Sequence, residues 1–202
     1  MQPATTHRLS GHVALDFVNT VDNWWHPAER DDLATFEHLA AWGIQVGYLQ
    51  SDEADRLSDL PASETDAALA EARALRALLH RLFGAIIDEQ PIAPSDLKAV
   101  NSILSAARAH QTLRAGPGAE GFAWAWAAPL GPRIPALRVA LEAADLLERG
   151  APSRVKRCPA PEGCGWLFLD ESRNRSRRWC SMKFCGGHAK ARRFAAAHRD
   201  ER

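Results

Sequence analysis

Apolar residues recur at spacings of three and four along most of the first 150 residues, which is the period of an amphipathic helix. Residues 65–88 show this period most clearly, with apolar side chains at Leu69, Ala72, Leu75, Leu79, Leu82 and Ile86. The same period predicts further helices at residues 9–23, 33–48, 95–110 and 132–149, with Ser95 as an N-cap. The N-terminal part of the chain is therefore predicted to be a helical domain.

Residues 111–131 break the helical period. Segments at residues 112–114 and 122–126, the second of which is Phe-Ala-Trp-Ala-Trp, predict a small β-hairpin. After the last helix, residues 150–153 form a short Gly-Ala-Pro-Ser linker. We therefore expect a mainly α fold with a small β-hairpin, in which a helical domain over residues 1–150 precedes a second domain over residues 151–202.

Composition excludes several classes of protein. With 46% hydrophobic and 25% charged residues, the chain matches a globular protein rather than a disordered or collagen-like one. No stretch approaches the roughly 18 apolar residues that a membrane-spanning helix needs. The first residues lack the basic and apolar segments of a secretory signal. We therefore expect a cytoplasmic protein that makes no membrane contact.

The formal net charge of zero is the sum of two opposite parts. Residues 1–150 carry twelve lysines and arginines against twenty aspartates and glutamates, a net charge of −8. Residues 151–202 carry thirteen against five, a net charge of +8. This asymmetry predicts a basic module that binds an anionic partner. The alternative is a solvated basic surface, or one that docks on the acidic part of the chain.

All four cysteines lie in the basic part of the chain. Cys158, Cys164, Cys180 and Cys185 are spaced C-x5-C-x15-C-x4-C, and two close pairs joined by a medium loop suit tetrahedral Zn²⁺. Two disulfides are the alternative, but a cytosolic chain normally keeps its thiols reduced. Because four cysteines leave no open coordination position, we expect one structural zinc ion. His188 lies close enough in sequence to compete as a ligand.

A run of arginines lies between the two cysteine pairs. Arginine favours planar, bidentate recognition of phosphate or of guanine edges. A predicted helix at residues 187–199 adds a second basic surface, so the candidate nucleic-acid contacts are Arg173, Arg175, Arg177, Arg178, Lys190, Arg192 and Arg193. The same helix has an apolar stripe that we expect to pack on the zinc module, formed by Phe184, Ala191, Phe194, Ala195 and His198. Trp166 and Trp179 are expected to cover the metal site rather than to stack on bases.

The first 150 residues show no established catalytic pattern. A glycine-rich phosphate loop, HExxH and GxSxG are all absent from the sequence, so we expect no enzymatic activity. A pocket with aromatic walls and a few polar groups is typical of small-molecule sites. Asp16, Asn19, Trp24 and Trp25 are the candidates for such a pocket. Ordinary capping and packing would explain the same residues.

Two stretches resemble a known family. The C-terminal one, with its four cysteines, Ser172-Arg-Asn-Arg-Ser-Arg-Arg-Trp-Cys180 and the segment after Cys185, resembles the CGNR-type zinc finger. The segment Ala14-Leu-Asp-Phe-Val-Asn-Thr20 resembles the opening signature of the ABATE domain that usually precedes this finger. The resemblance implies a treble-clef-like zinc finger and a stress-induced, DNA-binding transcription regulator. Where the family motif is Cys-Gly-Asn-Arg, this chain has Cys185-Gly-Gly-His188, which removes one strong phosphate or base contact.

The leading hypothesis is a two-part regulator. The helical body would sense a small molecule or a partner, and the zinc module would bind nucleic acid, with DNA preferred. Because one small finger gives modest sequence specificity, we expect a homodimer. The alternative is a small-molecule-binding or enzymatic N-terminal domain with a structural or protein-docking zinc tail. An RNA target is a further alternative, although no stacking motif of the RNA-recognition type supports it.

Overall fold

The computed structural model describes residues 9–21, 30–116, 121–159 and 164–197. The helices are α1 (Val13–Val18), α2 (Phe36–Gln45), α3 (Ser51–Ser58), α4 (Ala62–Ile87), α5 (Pro94–Ala109), α6 (Ile134–Glu148) and α7 (Gly187–Ala197). The strands are β1 (Gln111–Ala115), β2 (Phe122–Trp126), β3 (Val155–Arg157) and β4 (Leu167–Leu169), which form two antiparallel hairpins, β1–β2 and β3–β4. The predicted mainly α fold is confirmed. Among the described residues, no helix is both long and apolar enough to cross a lipid bilayer.

The 26-residue helix α4 forms the centre of the body. Its apolar face buries Leu75, Leu79, Leu82 and Phe83 against α1, α2, α5 and α6. The helical period predicted Leu75, Leu79 and Leu82 on this face, and all three are almost completely buried, whereas Phe83 was not predicted. The start of α5 differs from the prediction, because the N-cap is Ala93 and not Ser95. Pro94 occupies the first helical position, where its missing N–H costs no hydrogen bond.

Two helices differ from the predicted pattern. Helix α3 was not predicted, since eight residues with only Ala54 and Leu57 buried are too few to show a period. Its start is stabilised by a capping box, in which the Gln50 N–H donates to Glu53 Oε2 at 2.8 Å. Helix α1 has six residues instead of fifteen, because the chain turns at Asn19.

A buried ion pair holds the chain on either side of residues 22–29. Arg76 of α4, 6% exposed, donates from both terminal nitrogens to the two carboxylate oxygens of Asp31, each at 2.7 Å. Burial alone would raise the pKa of Asp31, but the pKa is lowered because the hydrogen bonds from Arg76 and the Leu33 N–H act together with the charges of Arg76 and Arg73. Val21 and Asp31 form a β-bridge, so these two points of the chain lie side by side. Trp24 and Trp25, which we predicted to line a pocket, lie outside the described residues.

The main hydrophobic core continues into the zinc module, defined here as residues 151–202. Val155 of β3 and Leu167 of β4 are 3% and 0% exposed and belong to the same apolar cluster as the helices of the body. The bidentate pair between Asp88, at the end of α4, and Arg157 of β3 adds two contacts of 3.1 Å. The module is therefore packed on the body and not merely linked to it.

Asn19 has a different role from the one predicted. Its side-chain N–H donates to the carbonyl of Leu167 at 2.8 Å, and its Oδ1 accepts from the Leu167 N–H at 2.9 Å. The amide thereby pairs with β4 much as a neighbouring strand would. Asp16 is also buried and accepts from the Ser10 N–H at 3.1 Å, while the Ser10 carbonyl accepts from the Leu169 N–H at 2.6 Å. Both predicted pocket residues thus contribute to the junction between the body and the zinc module.

Replacing Asn19 by alanine is expected to lower the free energy of unfolding by about 2–4 kcal/mol, since two buried backbone groups of Leu167 lose their partners. The measurement is urea denaturation of the zinc-loaded protein followed by circular dichroism. Asn101→Ala on the exposed side of α5 is the matched control and should have almost no effect. Equal stability of the two variants would contradict the proposed pairing.

Acidification is expected to weaken the folded state through His80 of α4. Burial lowers the pKa of His80 to about 4, and the charges of Arg157 and Arg81 add to the shift against the opposing charge of Asp88. The unfolded chain takes up the proton near pH 6.5, whereas the folded chain does not, so stability is complete above pH 6.5 and falls toward pH 4.

The expected loss at His80 between pH 7 and pH 5 is about 1 kcal/mol, allowing for the solvent screening of a partly exposed ring. Comparing His80→Gln with wild type in urea denaturation at both pH values checks this, because the variant should lose less stability on acidification. His110→Gln, at an exposed position, serves as the control. An identical pH dependence in wild type and His80→Gln would refute it.

Candidate zinc centre and nucleic-acid interface

The four cysteines come from two local structures. Cys158 directly follows β3 and Cys164 precedes β4, so the β3–β4 hairpin brings the first pair together. The Cys158 N–H donates to the Trp166 carbonyl at 2.8 Å and extends the pairing toward the turn. A π-helical turn, Met182–Gly186, leads into α7. Cys180 lies two residues before this turn, and Cys185 lies within it. A hairpin pair and a helix-start pair are the arrangement expected of a treble-clef-like finger.

The sulfur atoms have the spacing of a tetrahedral metal site. All four Sγ atoms lie within 4.8 Å of one another, with Cys164 and Cys180 at 3.4 Å and Cys180 and Cys185 at 3.7 Å. Four sulfurs at about 2.3 Å from a zinc ion are about 3.8 Å apart. All four cysteines are free, so the disulfide alternative is not supported. The donor set therefore fits one structural zinc ion held by Cys158, Cys164, Cys180 and Cys185.

Close packing of the sulfurs also affects their protonation. The pKa of Cys158 is lowered because its sulfur accepts hydrogen bonds from the thiols of Cys164 and Cys180. The pKa of each of those two thiols is raised by the same contacts. The four cysteines would hold a zinc ion as thiolates, so metal binding would release the remaining thiol protons.

A small apolar cluster encloses the sulfurs. Phe168 and Trp179 are 0% and 4% exposed, and Trp166 is partly buried against them, so the predicted packing role of both tryptophans is confirmed. The predicted apolar stripe of α7 is wrong in position: Phe184 and Phe194 are 42% and 66% exposed, and Ala191 and Ala195 are exposed as well. Ala189 packs there instead, because the π-helical turn shifts the phase of the helix that follows. His198 lies outside the described residues, and His188 is exposed and outside the sulfur cluster.

A buried carboxylate shapes the arginine loop, defined here as residues 170–178. Asp170 is 0% exposed, and its Oδ1 accepts from the N–H and the hydroxyl of Ser172 at 3.0 and 2.5 Å. Its Oδ2 accepts from Lys156 Nζ at 2.6 Å and from the Arg177 N–H at 3.1 Å. Burial alone would raise the pKa of Asp170, but these donors hold it well below its usual range. The loop is thus folded around one charged group.

Lys156 completes this arrangement from β3. Its ammonium group also donates to the carbonyls of Arg175 and Arg177, at 2.6 and 3.3 Å. Arg175 has a φ of +51°, a left-handed conformation that non-glycine residues seldom adopt and that is found at binding sites. This role of Lys156 was not predicted, because its local sequence is that of a solvated strand residue.

Arg177 is used inside the protein rather than on its surface. Its guanidinium donates to the carbonyls of Leu9 and Leu169 at 2.8 and 3.2 Å, and also to those of Trp179 and Cys180. The same group lies over the ring of Phe168, 4.6 Å from its centroid. The structure therefore assigns Arg177 a structural role, in contrast to the predicted contact with nucleic acid.

The remaining candidate cations are exposed. On the arginine loop these are Arg173, Arg175 and Arg178, and on α7 they are Lys190, Arg192 and Arg193. Arg178 lies 5.0 Å from the ring centroid of Trp179, which restricts its side chain. Beside the loop is a concavity of about 380 Å³ lined by Ile87, Lys156, Arg157, Pro159, Ser176, Arg177 and Arg178. Among the described residues that line it, four carry a cationic side chain and none carries an acidic one.

Comparison with known families agrees with this division of the chain. The profile of the ABATE family, described as "Putative stress-induced transcription regulator", matches residues 11–150. The chain belongs to the ABATE family. A second profile, the CGNR zinc finger, matches residues 154–198 of this ABATE protein. No curated protein matches the chain. Both resemblances found from the sequence are confirmed, in the same order along the chain.

The structure explains one part of the altered CGNR motif. A Cβ at Gly186 would lie 3.1 Å from Cδ1 of the buried Trp179 and 2.9 Å from the flexible Met182 Sδ, so close packing favours glycine here. A Cβ at Gly187 would meet only the Met182 carbonyl, at 3.6 Å, and its φ of −64° is helical. The asparagine of the family motif would therefore fit at position 187.

The metal site has a direct test. The purified protein should contain one zinc per chain by metal analysis, because the four thiolates form a single tetrahedral site. The double variant Cys158→Ser/Cys180→Ser removes one ligand from each pair and should retain almost no zinc. Met182→Ser, at a 70% exposed neighbouring position, is the control and should keep the full ratio. Full zinc content in the double variant would contradict this ligand set.

Proposed function

We propose that this ABATE-family protein is a transcription regulator that binds DNA through its CGNR zinc module, while the helical body senses a small molecule or a partner. One observation carries the DNA-binding part. Three exposed arginines, Arg173, Arg175 and Arg178, belong to a loop whose backbone is fixed by the buried pair of Asp170 and Lys156.

Fixing the loop in advance matters for binding. An exposed arginine on a mobile segment loses conformational freedom when it contacts phosphate, and this loss reduces affinity. Here the hydrogen bonds of Lys156 and Ser172 hold the backbone of the arginine loop before it contacts phosphate. The loop therefore loses less conformational entropy on binding. Guanidinium groups presented in this way can make bidentate bonds to phosphate oxygens or to the guanine edge in the major groove.

The zinc ion supports this surface without contacting the partner. Cys180 lies two residues after the arginine loop and Cys185 lies in the turn before α7, so metal binding would fix the end of one basic segment and the start of the other. Lys190, Arg192 and Arg193 of α7 then add phosphate contacts from a second direction. Because one module of this size contacts few base pairs, the proposed regulator acts as a homodimer in the cytoplasm.

A second candidate function is supported by the junction between the two parts. Val155 and Leu167 are buried in the core of the body, as a purely structural tail would require. In that case the helical body is the functional part, and the zinc module stabilises it or docks a protein. We assign no catalytic residue in either case.

DNA binding is tested by fluorescence anisotropy of the zinc-loaded protein with a short duplex across a salt series. The variant Arg173→Gln/Arg175→Gln/Arg178→Gln should weaken binding at least about 30-fold and reduce the slope of log K against log salt by about 2–3, because about three phosphate contacts are lost. Arg177 is left intact because its loss would unfold the loop.

The matched control removes the same charge elsewhere. Arg56→Gln/Arg133→Gln/Arg149→Gln replaces three exposed arginines of the body and should bind like wild type. Equal loss in both triple variants would mean that net charge alone determines binding, and no binding by wild type would favour the second function. Duplex RNA in the same series distinguishes the nucleic acids, and Gly187→Asn/His188→Arg should increase affinity by restoring the family motif.

A further inference from the structure

A separate cavity lies on the helical body, formed by the loop after α2, the end of α5, the hairpin and α6. Its volume is about 430 Å³, and its lining consists of Tyr48, Arg108, Gln111, Trp126, Arg138, Leu141, Glu142 and Asp145. Small-molecule sites in proteins are typically 300–1,000 Å³ and combine aromatic walls with a few polar groups. This cavity has both properties, and neither Asp16 nor Asn19 lines it.

Arg138 of α6 is held rigidly at this cavity. One terminal nitrogen donates to the Tyr48 carbonyl, and the guanidinium carbon lies 5.7 Å from the Tyr48 ring centroid and 5.3 Å from that of Trp126. Its Nε is buried and has no hydrogen-bond partner among the described residues. Burial lowers the pKa of Arg138, although the nearby Glu53 and Tyr48 oppose this shift.

The two arginines that flank α6, Arg133 and Arg149, are paired with carboxylates and, among the described residues, Arg138 is not. Arg133 contacts Glu71 at 2.5 Å and Arg149 contacts Asp145 at 3.8 Å, whereas Arg138 has no carboxylate within 4.0 Å in the described part of the chain. Glu142 is four residues along and could have paired with it, but does not. Arg138 therefore keeps an unmet capacity to bind an anion.

Arg108 adds a second positive charge from the end of α5. Its guanidinium donates to Gln111 Oε1 at 2.9 Å and lies 5.7 Å from the ring centroid of Trp124, again with no ion pair to a described residue. The wall beside it is also fixed, since Tyr48 packs edge-on against Trp42 with ring centroids 6.0 Å apart. The cavity thus has two oriented guanidinium groups and rigid aromatic sides before any ligand enters.

We propose that this cavity binds a small monocarboxylate with a flat apolar body. Arg138 and Arg108 would bind the carboxylate, and Tyr48, Trp126 and Leu141 would contact the apolar part. Glu142 and Asp145 line the same cavity, and their negative charges disfavour a dianion such as phosphate. The inference rests on the sensing role proposed for the helical body and supplies its site and its class of ligand.

Isothermal titration calorimetry of the zinc-loaded full chain tests the proposal, with phenylacetate and indole-3-acetate as probes. Both should bind, and Arg108→Gln should raise the dissociation constant at least about tenfold, because a charge-assisted hydrogen bond is lost. Arg108 is exposed, so its replacement does not endanger folding. Arg138→Lys keeps the charge but loses the planar group, and it should weaken binding similarly.

Three controls decide the outcome. Arg56→Gln on α3, an exposed arginine away from this cavity, should bind phenylacetate like wild type, and benzylamine and inorganic phosphate should not bind. Absence of heat with both carboxylates, equal binding of benzylamine, or unchanged binding in Arg108→Gln would each overturn the proposal. DNA binding is measured on the same preparation without carboxylate, so a failure of the DNA-binding proposal is seen separately from a failure of this one.

Discussion

The buried carboxylate of Asp170 is the constraint on which the basic surface depends. A fully buried charge is stable only when its oxygens are hydrogen-bonded and its charge is paired. Asp170 meets this requirement with an ammonium group from β3, the hydroxyl and N–H of Ser172 and the N–H of Arg177. These four donors come from three places in the chain, so satisfying one carboxylate determines the path of the whole arginine loop.

Arginines in this protein serve two separate purposes. Arg76, Arg157 and Arg177 bind carboxylates or carbonyls of the same chain and hold its parts together. Arg173 and Arg175 are exposed on a backbone that the first group keeps in place. The opposite charges of the two parts of the chain therefore have two effects. Ion pairs such as that of Arg157 with Asp88 join the zinc module to the helical body, and the arginines that are not used in this way, such as Arg173 and Arg175, are exposed on the module's surface.

The sequence predicted those features that local pattern determines. The period of α4 located its buried face, and the spacing of the four cysteines identified the metal ligands, because both depend on residues close together in the chain. The contacts of Asn19 with Leu167 and of Arg177 with Leu9 were not predicted, since these partners lie 148 and 168 residues away in the chain. The phase shift in α7 was missed because a π-helical turn has no clear sequence signal.

The pairing of Asn19 with β4 has a consequence for how such proteins can be assembled. In many proteins a zinc finger folds by itself once it binds its metal, and it can be moved between chains without losing its fold. Here the outer edge of the finger's hairpin is hydrogen-bonded to the side chain of Asn19, directly after α1, and one of its strands supplies Leu167 to a core that the helices enclose. A finger transplanted alone would carry an open strand edge and an exposed leucine, so the two parts are expected to be inherited and recombined as a unit.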